Sequence, residues 1–433
     1  MIHCKVINPR SVATGLIKIF LQCVVICLIT PVSQAWEWQA PRGHLKYQLE
    51  ATWFPTDSVS HALVGSSSDS HLLDNRWKFA ATHKAWDFKL DYQLQARHSE
   101  QQTPTFMGLS NPAATSDDNR LFDLTHVLSD DEDDLWLHRI DRLYVSFAGE
   151  KAVARVGRQV VSWGNGLFFN PLDFFNPFDP TALDKEYKTG DDMLYGQFLF
   201  DSGADVQAVR VVRREPGNHK IRNDLSSSAI KYHSWLNDAE LDVLIAQHLG
   251  DEIAGIGLVK SVGGSVWRGD LMLTKTNQNT YTSFVANTSY SWVWHNRNWN
   301  GSLEYFYNGF GLDDGYSLFD LTTETDLLQR LSRGELFTTG RHYLAANTTI
   351  EMTPLLILSP TVFINLSDQS AYMQVGGQYS LAQNWQLIAA INFPIGPKGT
   401  EYGGLDTGLI SMGPMEMHIG NHGSVFLQLG VYF

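Results

Sequence analysis

The chain has 433 residues, 43% of them hydrophobic and 18% charged, and 46 acidic side chains against 32 basic ones give a formal net charge of −14. No basic run or patch offsets that acidity, which excludes nucleic-acid recognition through the phosphate backbone. Beyond Ile29 no apolar stretch approaches the ~20 residues of a membrane helix, so a helical membrane protein is excluded too. A β protein remains, either soluble or closed into a membrane barrel.

In chain order, Met1 to Lys18 carries Lys5, Arg10 and Lys18 and no acid. Ile19 to Ile29 is apolar except for Gln22, and Ser33-Gln34-Ala35 offers the small residues a signal peptidase needs. This is the pattern of a secretory signal peptide over residues 1–35, cut before Trp36, with too few apolar residues to span a bilayer. Lipoprotein processing is disfavoured because Ile26 precedes Cys27 where a small residue is wanted. All three cysteines (Cys4, Cys23 and Cys27) fall in this segment. Residues 36–433 are therefore expected to form one exported domain without disulfides, held by backbone pairing and packing.

From there the hydrophobic pattern has a period of two. Trp86, Phe88, Leu90, Tyr92, Leu94 and Ala96 fall on one face, and Asp87, Lys89, Asp91, Gln93 and Gln95 on the other. The same alternation recurs at 282–295, 371–381 and 385–393, in runs longer than ordinary soluble strands and right for a tilted membrane crossing. The full reading gives strands at 44–54, 73–82, 85–97, 135–148, 152–163, 192–201, 204–213, 228–236 and 240–249. It continues with 254–262, 265–275, 281–295, 300–309, 337–352, 355–366, 371–381, 385–396 and 424–433. That is an all-β, antiparallel transmembrane barrel of about 18 strands, with 16 as the alternative, and an even number puts both termini on the periplasmic side. Trp77, Trp86, Trp292, Trp294, Trp299, Trp385 and Tyr432 sit at strand ends, as interfacial girdles require.

Tight turns alternate with long connections, predicted as extracellular loops at 98–134, 164–191, 310–336 and 397–423. The first ends in Asp130-Asp-Glu-Asp-Asp134, a solvated acidic run whose spacing matches no defined calcium loop, and no cofactor or metal is expected. Thr323 to Arg333 is expected to form a short helix ended by Gly334. Segments 135–148 and 152–163 break the alternation, carrying Arg139, Arg142, Arg155 and Arg158 on both parities. Either a bulge corrects the phase or arginines line a narrow part of the lumen.

Loop 164–191 contains Asn170-Pro171-x-Asp173 and Asn176-Pro177-x-Asp179, residue types that specify rigid turns. Phe168, Phe169, Phe174, Phe175 and Phe178 are too apolar for a solvated loop and need cover. They pack either on the inner barrel wall, making the loop a constriction bearing Asp173, Asp179, Lys185 and Lys188, or over the rim. Arg142, Lys231, His233, Asp242, Arg268, Asp270, Glu304 and Glu351 are costly on a lipid face, so they are assigned to the lumen with Arg155 and Arg158. Both signs are present, so no ion selectivity follows.

The chain ends in Ser424-Val-Phe-Leu-Gln-Leu-Gly-Val-Tyr-Phe433, with Val425, Leu427, Leu429, Val431 and Phe433 on one face. A terminal aromatic residue on such a strand resembles bacterial outer-membrane β-barrels. That resemblance implies a closing strand whose last residue is read by the barrel-assembly machinery, in a membrane containing lipopolysaccharide. Gly157-Arg-Gln-Val-Val-Ser-Trp-Gly164 before the Asn-Pro-rich loop, with Leu303 to Gly311, resembles a narrower group of largely uncharacterised porin-like proteins. The implied function is a channel for passive diffusion of small solutes. The alternatives are an export or assembly barrel with a periplasmic partner and, with scattered histidines and no nucleophile elbow, an outer-membrane hydrolase.

Overall fold

A computed structural model describes residues 36–99, 116–131, 133–313, 317–412 and 415–433; the expected signal peptide and its cysteines lie outside the described residues. One antiparallel sheet dominates. Its first strands are β1 (Arg42–Trp53), β2 (Ser67–His83), β3 (Trp86–Ser99), β4 (Asp134–Ala148), β5 (Ala152–Gln159) and β6 (Asp191–Leu199). There follow β7 (Asp205–Val211), β8 (Ser227–Leu236), β9 (Ala239–His248), β10 (Asp251–Val262), β11 (Ser265–Lys275) and β12 (Thr280–Trp294). The last are β13 (Arg297–Tyr307), β14 (His342–Thr353), β15 (Leu356–Asn365), β16 (Ser370–Ala382), β17 (Trp385–Ile395) and β18 (Gly423–Tyr432).

Each strand pairs with its neighbour, and β18 pairs with both β17 (Trp385 opposite Val431) and β1 (Leu45 opposite Val431). The sheet is thereby closed into an 18-stranded barrel, the number the alternation predicts. Closure leaves no unpaired edge, which is what makes a β-structure tolerable in hydrocarbon. Two short strands, Glu37–Trp38 and Thr125–Asp130, pair onto β2 and β4.

The outward positions are apolar and uncovered: Leu45, Tyr47, Ile230, Tyr232, Ile245, Ile256, Leu258, Leu271, Leu273, Met373, Val375, Ile391 and Leu427 are all exposed. A continuous apolar belt of this kind needs lipid around it. Turns at one end are tight, for example at Lys84, Gly203 and Gly263-Gly264, where positive φ angles reverse the chain. Connections at the other end are mostly long. β2 begins six residues before its predicted start, because Ser67 to Ser70 lack apolar alternation yet still pair with Glu50 to Trp53. Backbone pairing continues into water where the side-chain pattern no longer reports it.

The broken alternation in β4 has a local cause. Asp91 pairs with Arg142 and Tyr92 with Ile140, so Asp141 is bulged out of register. The bulge brings Arg139 and Arg142 onto one face, where Arg139 Nε donates to Gln93 Oε1 at 2.6 Å. Helix α1 (Val59–Val64), capped by Ser58, lies in the first long connection. Helices α2 (Leu318–Thr323) and α3 (Thr325–Arg333) fill the connection after β13, and Gly334 (φ 67°) ends α3 as expected.

The register makes a labelling prediction. Lys89 is an exposed inner-face residue, whereas Asp91 and Gln93, on the same face, are only 8% and 3% exposed. With no native thiol in residues 36–433, Lys89→Cys should react with a membrane-impermeant maleimide and Leu90→Cys should not. Cysteines at 91 and 93 should react only after denaturation. Labelling at 90 but not 89 would mean the register is off by one.

Candidate channel constriction

The segment between β5 and β6 leaves the wall at Gln159 and rejoins it at Asp191. Its sequence explains its path. Gly157 (φ 125°) and Gly164 (φ 86°) adopt backbone conformations that disfavour a side chain. A Cβ at Gly157 would meet the Leu143 carbonyl, and one at Gly164 the Asn170 side chain. Asn170 Nδ2 donates to the Trp163 carbonyl at 3.0 Å, and the Asp173 amide donates to the Asn170 carbonyl at 3.1 Å, closing the first Asn-Pro turn. In the second turn Asn176 takes a left-handed φ of 54°, and its amide donates to Thr189 O at 3.2 Å and Asp191 Oδ2 at 3.1 Å.

Two carboxylates on the wall hold the start of the segment. Asp270 on β11 accepts the Asn165 amide at 2.6 Å and its side-chain Nδ2 at 2.7 Å. Glu304 on β13, fully buried, accepts three consecutive backbone N–H groups, from Leu167, Phe168 and Phe169, at 2.6, 2.9 and 2.7 Å. Asn287 Nδ2 on β12 adds a fourth bond at 3.1 Å. Such an array of dipoles is what allows a carboxylate to lie out of water.

The phenylalanines find cover on the wall. Phe174 and Phe175, with Trp163 and Leu172, pack on Met193, Val209, Leu244, Ile253 and Met272 from β6, β7, β9, β10 and β11. Phe169 stacks on Phe306 at 4.9 Å and packs with Val285, Tyr343 and Phe363 from β12, β14 and β15. Phe168 stands edge-on to Phe363, 5.5 Å away. Further along, Gln374 Nε2 on β16 donates to the Thr181 carbonyl at 3.0 Å. Lys46 Nζ on β1 donates to both Asp184 and Glu186 at 2.6 Å, and Arg76 on β2 lies 4.0 Å over the Tyr187 ring. Arg142 on β4 donates to the Lys188 carbonyl.

These contacts run around the whole circumference of a closed barrel, so the segment lies inside it. It also runs deep: Glu186 meets Tyr432 Oη at 3.3 Å, at the tight-turn end, having left the wall at the long-loop end.

The residues singled out from sequence divide by what they touch. Arg142, Asp270 and Glu304 hold the segment, and within it Lys188 pairs with Asp173 and bonds Ser162 Oγ at 2.8 Å. Asp179 accepts the Thr181 amide and hydroxyl, and Lys185 Nζ donates to the Pro180 carbonyl at 3.0 Å. Lys231, His233 and Asp242 form one inner-face group, with His233 Nδ1 and Lys231 Nζ at 2.8 and 3.3 Å from Asp242. Arg155 stands over the Tyr195 ring at 5.0 Å, Arg268 donates to Ser289 Oγ at 3.1 Å, and Glu351 accepts from Asn298 at 2.6 Å.

Arg158 departs from the lumen expectation. Only 1% exposed, it is bonded to Asp117 at 2.8 Å, Asp192 at 2.9 Å and the Phe122 carbonyl at 2.7 Å. It fastens residues 116–124 to the wall and has no access to solvent. Sequence reading missed Lys46, Arg76, Asp184, Glu186 and Tyr187, although His44, Lys46, Gln48 and Glu50 share the polar parity of β1.

Glu401, in the connection after β17, accepts from Tyr343 Oη (2.6 Å), the Thr339 amide (2.9 Å) and Asn365 Nδ2 (2.8 Å). Burial pushes its carboxyl up to about 7 from an ordinary 4.5, with Asp368 adding to the shift. An acid whose pKa is raised on folding binds its proton more tightly in the fold. Its contribution is full below pH 4.5 and is lost as pH rises to about 7. Thermal stability should therefore fall between pH 5 and 7.5, and Glu401→Gln should flatten that part of the profile. An unchanged profile in a folded variant would assign the dependence elsewhere.

The architecture has relatives among solved structures. The BenF-like porin from Pseudomonas fluorescens Pf-5 superposes with a TM-score of 0.51 at 9% identity, over 92% of this chain and 98% of that one. The fold is that of the porins. Acinetobacter baumannii OccAB1 gives a TM-score of 0.51 at 8% identity, covering 91% of this chain and 96% of its own. OccAB3 of the same organism gives 0.50 at 10% identity, over 91% and 99%. Identity this low speaks for the porin fold alone. Residues 64–207, which include the inner segment, match a sequence family described as a protein of unknown function (DUF1302). No curated protein sequence matches the chain.

Proposed function

We propose that this porin-like barrel is an outer-membrane channel for passive diffusion of small solutes, with segment 160–190 as its constriction. The observation that carries the reading is that one stiff segment, anchored on strands all round the barrel, crosses an interior otherwise walled by polar side chains. In such a geometry the segment narrows the water path, and its charges stand where field lines concentrate. The apolar outer belt fits a bilayer, and the porin fold of the relatives agrees with a pore. On this reading the signal peptide exports the chain, the long loops face outside among lipopolysaccharide, and the tight turns and both termini face the periplasm. Planar-bilayer recording of the purified barrel tests it: stepwise single-channel conductance is expected, and its absence from folded, heat-modifiable protein would sink the channel.

The closing strand fits recognition of Phe433 by the assembly machinery. The Phe433 amide and carbonyl exchange bonds with Gly43 at 3.1 and 2.7 Å, and its ring lies 4.8 Å from Trp77. Deleting Phe433 removes both, so membrane-inserted, heat-modifiable protein is expected to drop severalfold. Normal levels would argue against recognition through this residue.

A further inference from the structure

We propose that the cavity lined by Phe169, Asp179, Tyr372, Glu401 and Tyr402 is a binding site for a small organic cation, an ammonium carried on an apolar body. The cavity measures about 210 Å³ and is lined by three connecting segments together with Tyr372 on β16 and Pro394 on β17. Segment 160–190 supplies Phe169 and Asp179, the connection after β13 supplies Phe337 and Thr338, and the connection after β17 supplies Glu401 and Tyr402. It is smaller than the roughly 300–1,000 Å³ of sites for drug-sized ligands, which suits a metabolite-sized solute.

The lining is aromatic and acidic and includes no lysine or arginine. Tyr372 and Tyr402, with ring centroids 5.7 Å apart and planes tilted by 38°, both line the cavity. Aromatic faces attract cations through the ring quadrupole, most strongly where water is excluded. Both bonds that Asp179 accepts, from the Thr181 amide and hydroxyl at 2.7 Å, go to Oδ1, leaving Oδ2 for a ligand. Lys185, the base that acts on Asp179, is turned to the Pro180 carbonyl and stands over the Phe168 ring. An anion would meet like charge here, and a neutral solute would gain no charge pairing from Asp179. Its role as a station for a permeating cation rests on the channel reading; the binding does not.

Calorimetric titration of the detergent-solubilised barrel tests the site with three probes: choline, its uncharged carbon isostere and benzoate. Choline should bind, the isostere should bind about tenfold more weakly or less, and benzoate should give no heat of binding. Asp179→Asn and Tyr402→Leu should each weaken choline by about tenfold, with heat-modifiable mobility retained. Equal affinity for choline and its isostere, a preference for benzoate, or unchanged choline affinity in both folded variants overturns the proposal. If neither variant folds, the three-probe comparison on the native chain still decides. Bilayer recording separates the two readings: choline binding without conductance keeps the site and removes the channel, whereas conductance without choline binding keeps the channel and removes the site.

Discussion

Deleting residues 168–180 is expected to raise single-channel conductance severalfold, the largest functional effect this structure predicts. The deletion removes Phe168, Phe169, Phe174 and Phe175, the side chains that fix the inner segment to β6, β7 and β9 to β15. It also removes Asp173, the partner of Lys188. What remains is tied chiefly at Lys46, Tyr187 and Arg142 and can no longer span the interior. The same deletion uncovers two aromatic clusters and leaves Glu304 short of two of its backbone donors, so thermal stability should fall together with the rise in conductance. Fully burying one phenylalanine contributes about 1.5–3 kcal/mol, so the loss should be several kcal/mol even after the segment relaxes. Unchanged conductance in a correctly folded deletion variant would place the narrowest point elsewhere in the lumen. Charge reversal at Asp173 is a poorer probe, because Asp173→Lys would bury two cations together and report on folding before selectivity.

The second large effect is expected at Glu304. Glu304→Ala orphans the amides of Leu167, Phe168 and Phe169 in a buried place, at about 1–3 kcal/mol for each unsatisfied donor. The wall strand keeps its ladder, since Glu304 pairs through its backbone with Asn287 and Ala345. The barrel should therefore assemble while the segment detaches at its first anchor. Bilayer recordings should show higher mean conductance with rapid flicker between levels, and thermal stability should drop by on the order of 4 kcal/mol. Glu304→Gln keeps one acceptor oxygen and should fall between the two. Quiet, native-like conductance in Glu304→Ala would mean that Asp270 and the phenylalanines hold the segment without it.

Much of the barrel is legible residue by residue. Trp86 to Ala96 announces a two-faced strand because successive side chains must point to opposite sides, and each neighbouring strand repeats the rule. Many of the tight turns are equally local, since glycine or a left-handed residue reverses the chain at Lys84, Gly203 and Gly263-Gly264. The phenylalanines of the inner segment declared a need for cover, and its Asn-Pro pairs declared turns.

What covers those rings was decided only by closure. Glu304 meets the Phe169 amide across 135 positions of sequence, and Lys46 meets Glu186 across 140. No local periodicity encodes such pairs. The same holds for Arg158, whose charge suggested a lining residue but which residues 116–124 cover in the fold. The sequence by itself determined strands, turns and an apolar belt, because these follow from nearest-neighbour geometry and from which side of a strand meets lipid. Only the tertiary structure decided which carboxylates anchor the inner segment and which groups close the cation cavity, because those contacts exist only once the first and last strands pair and enclose a common interior.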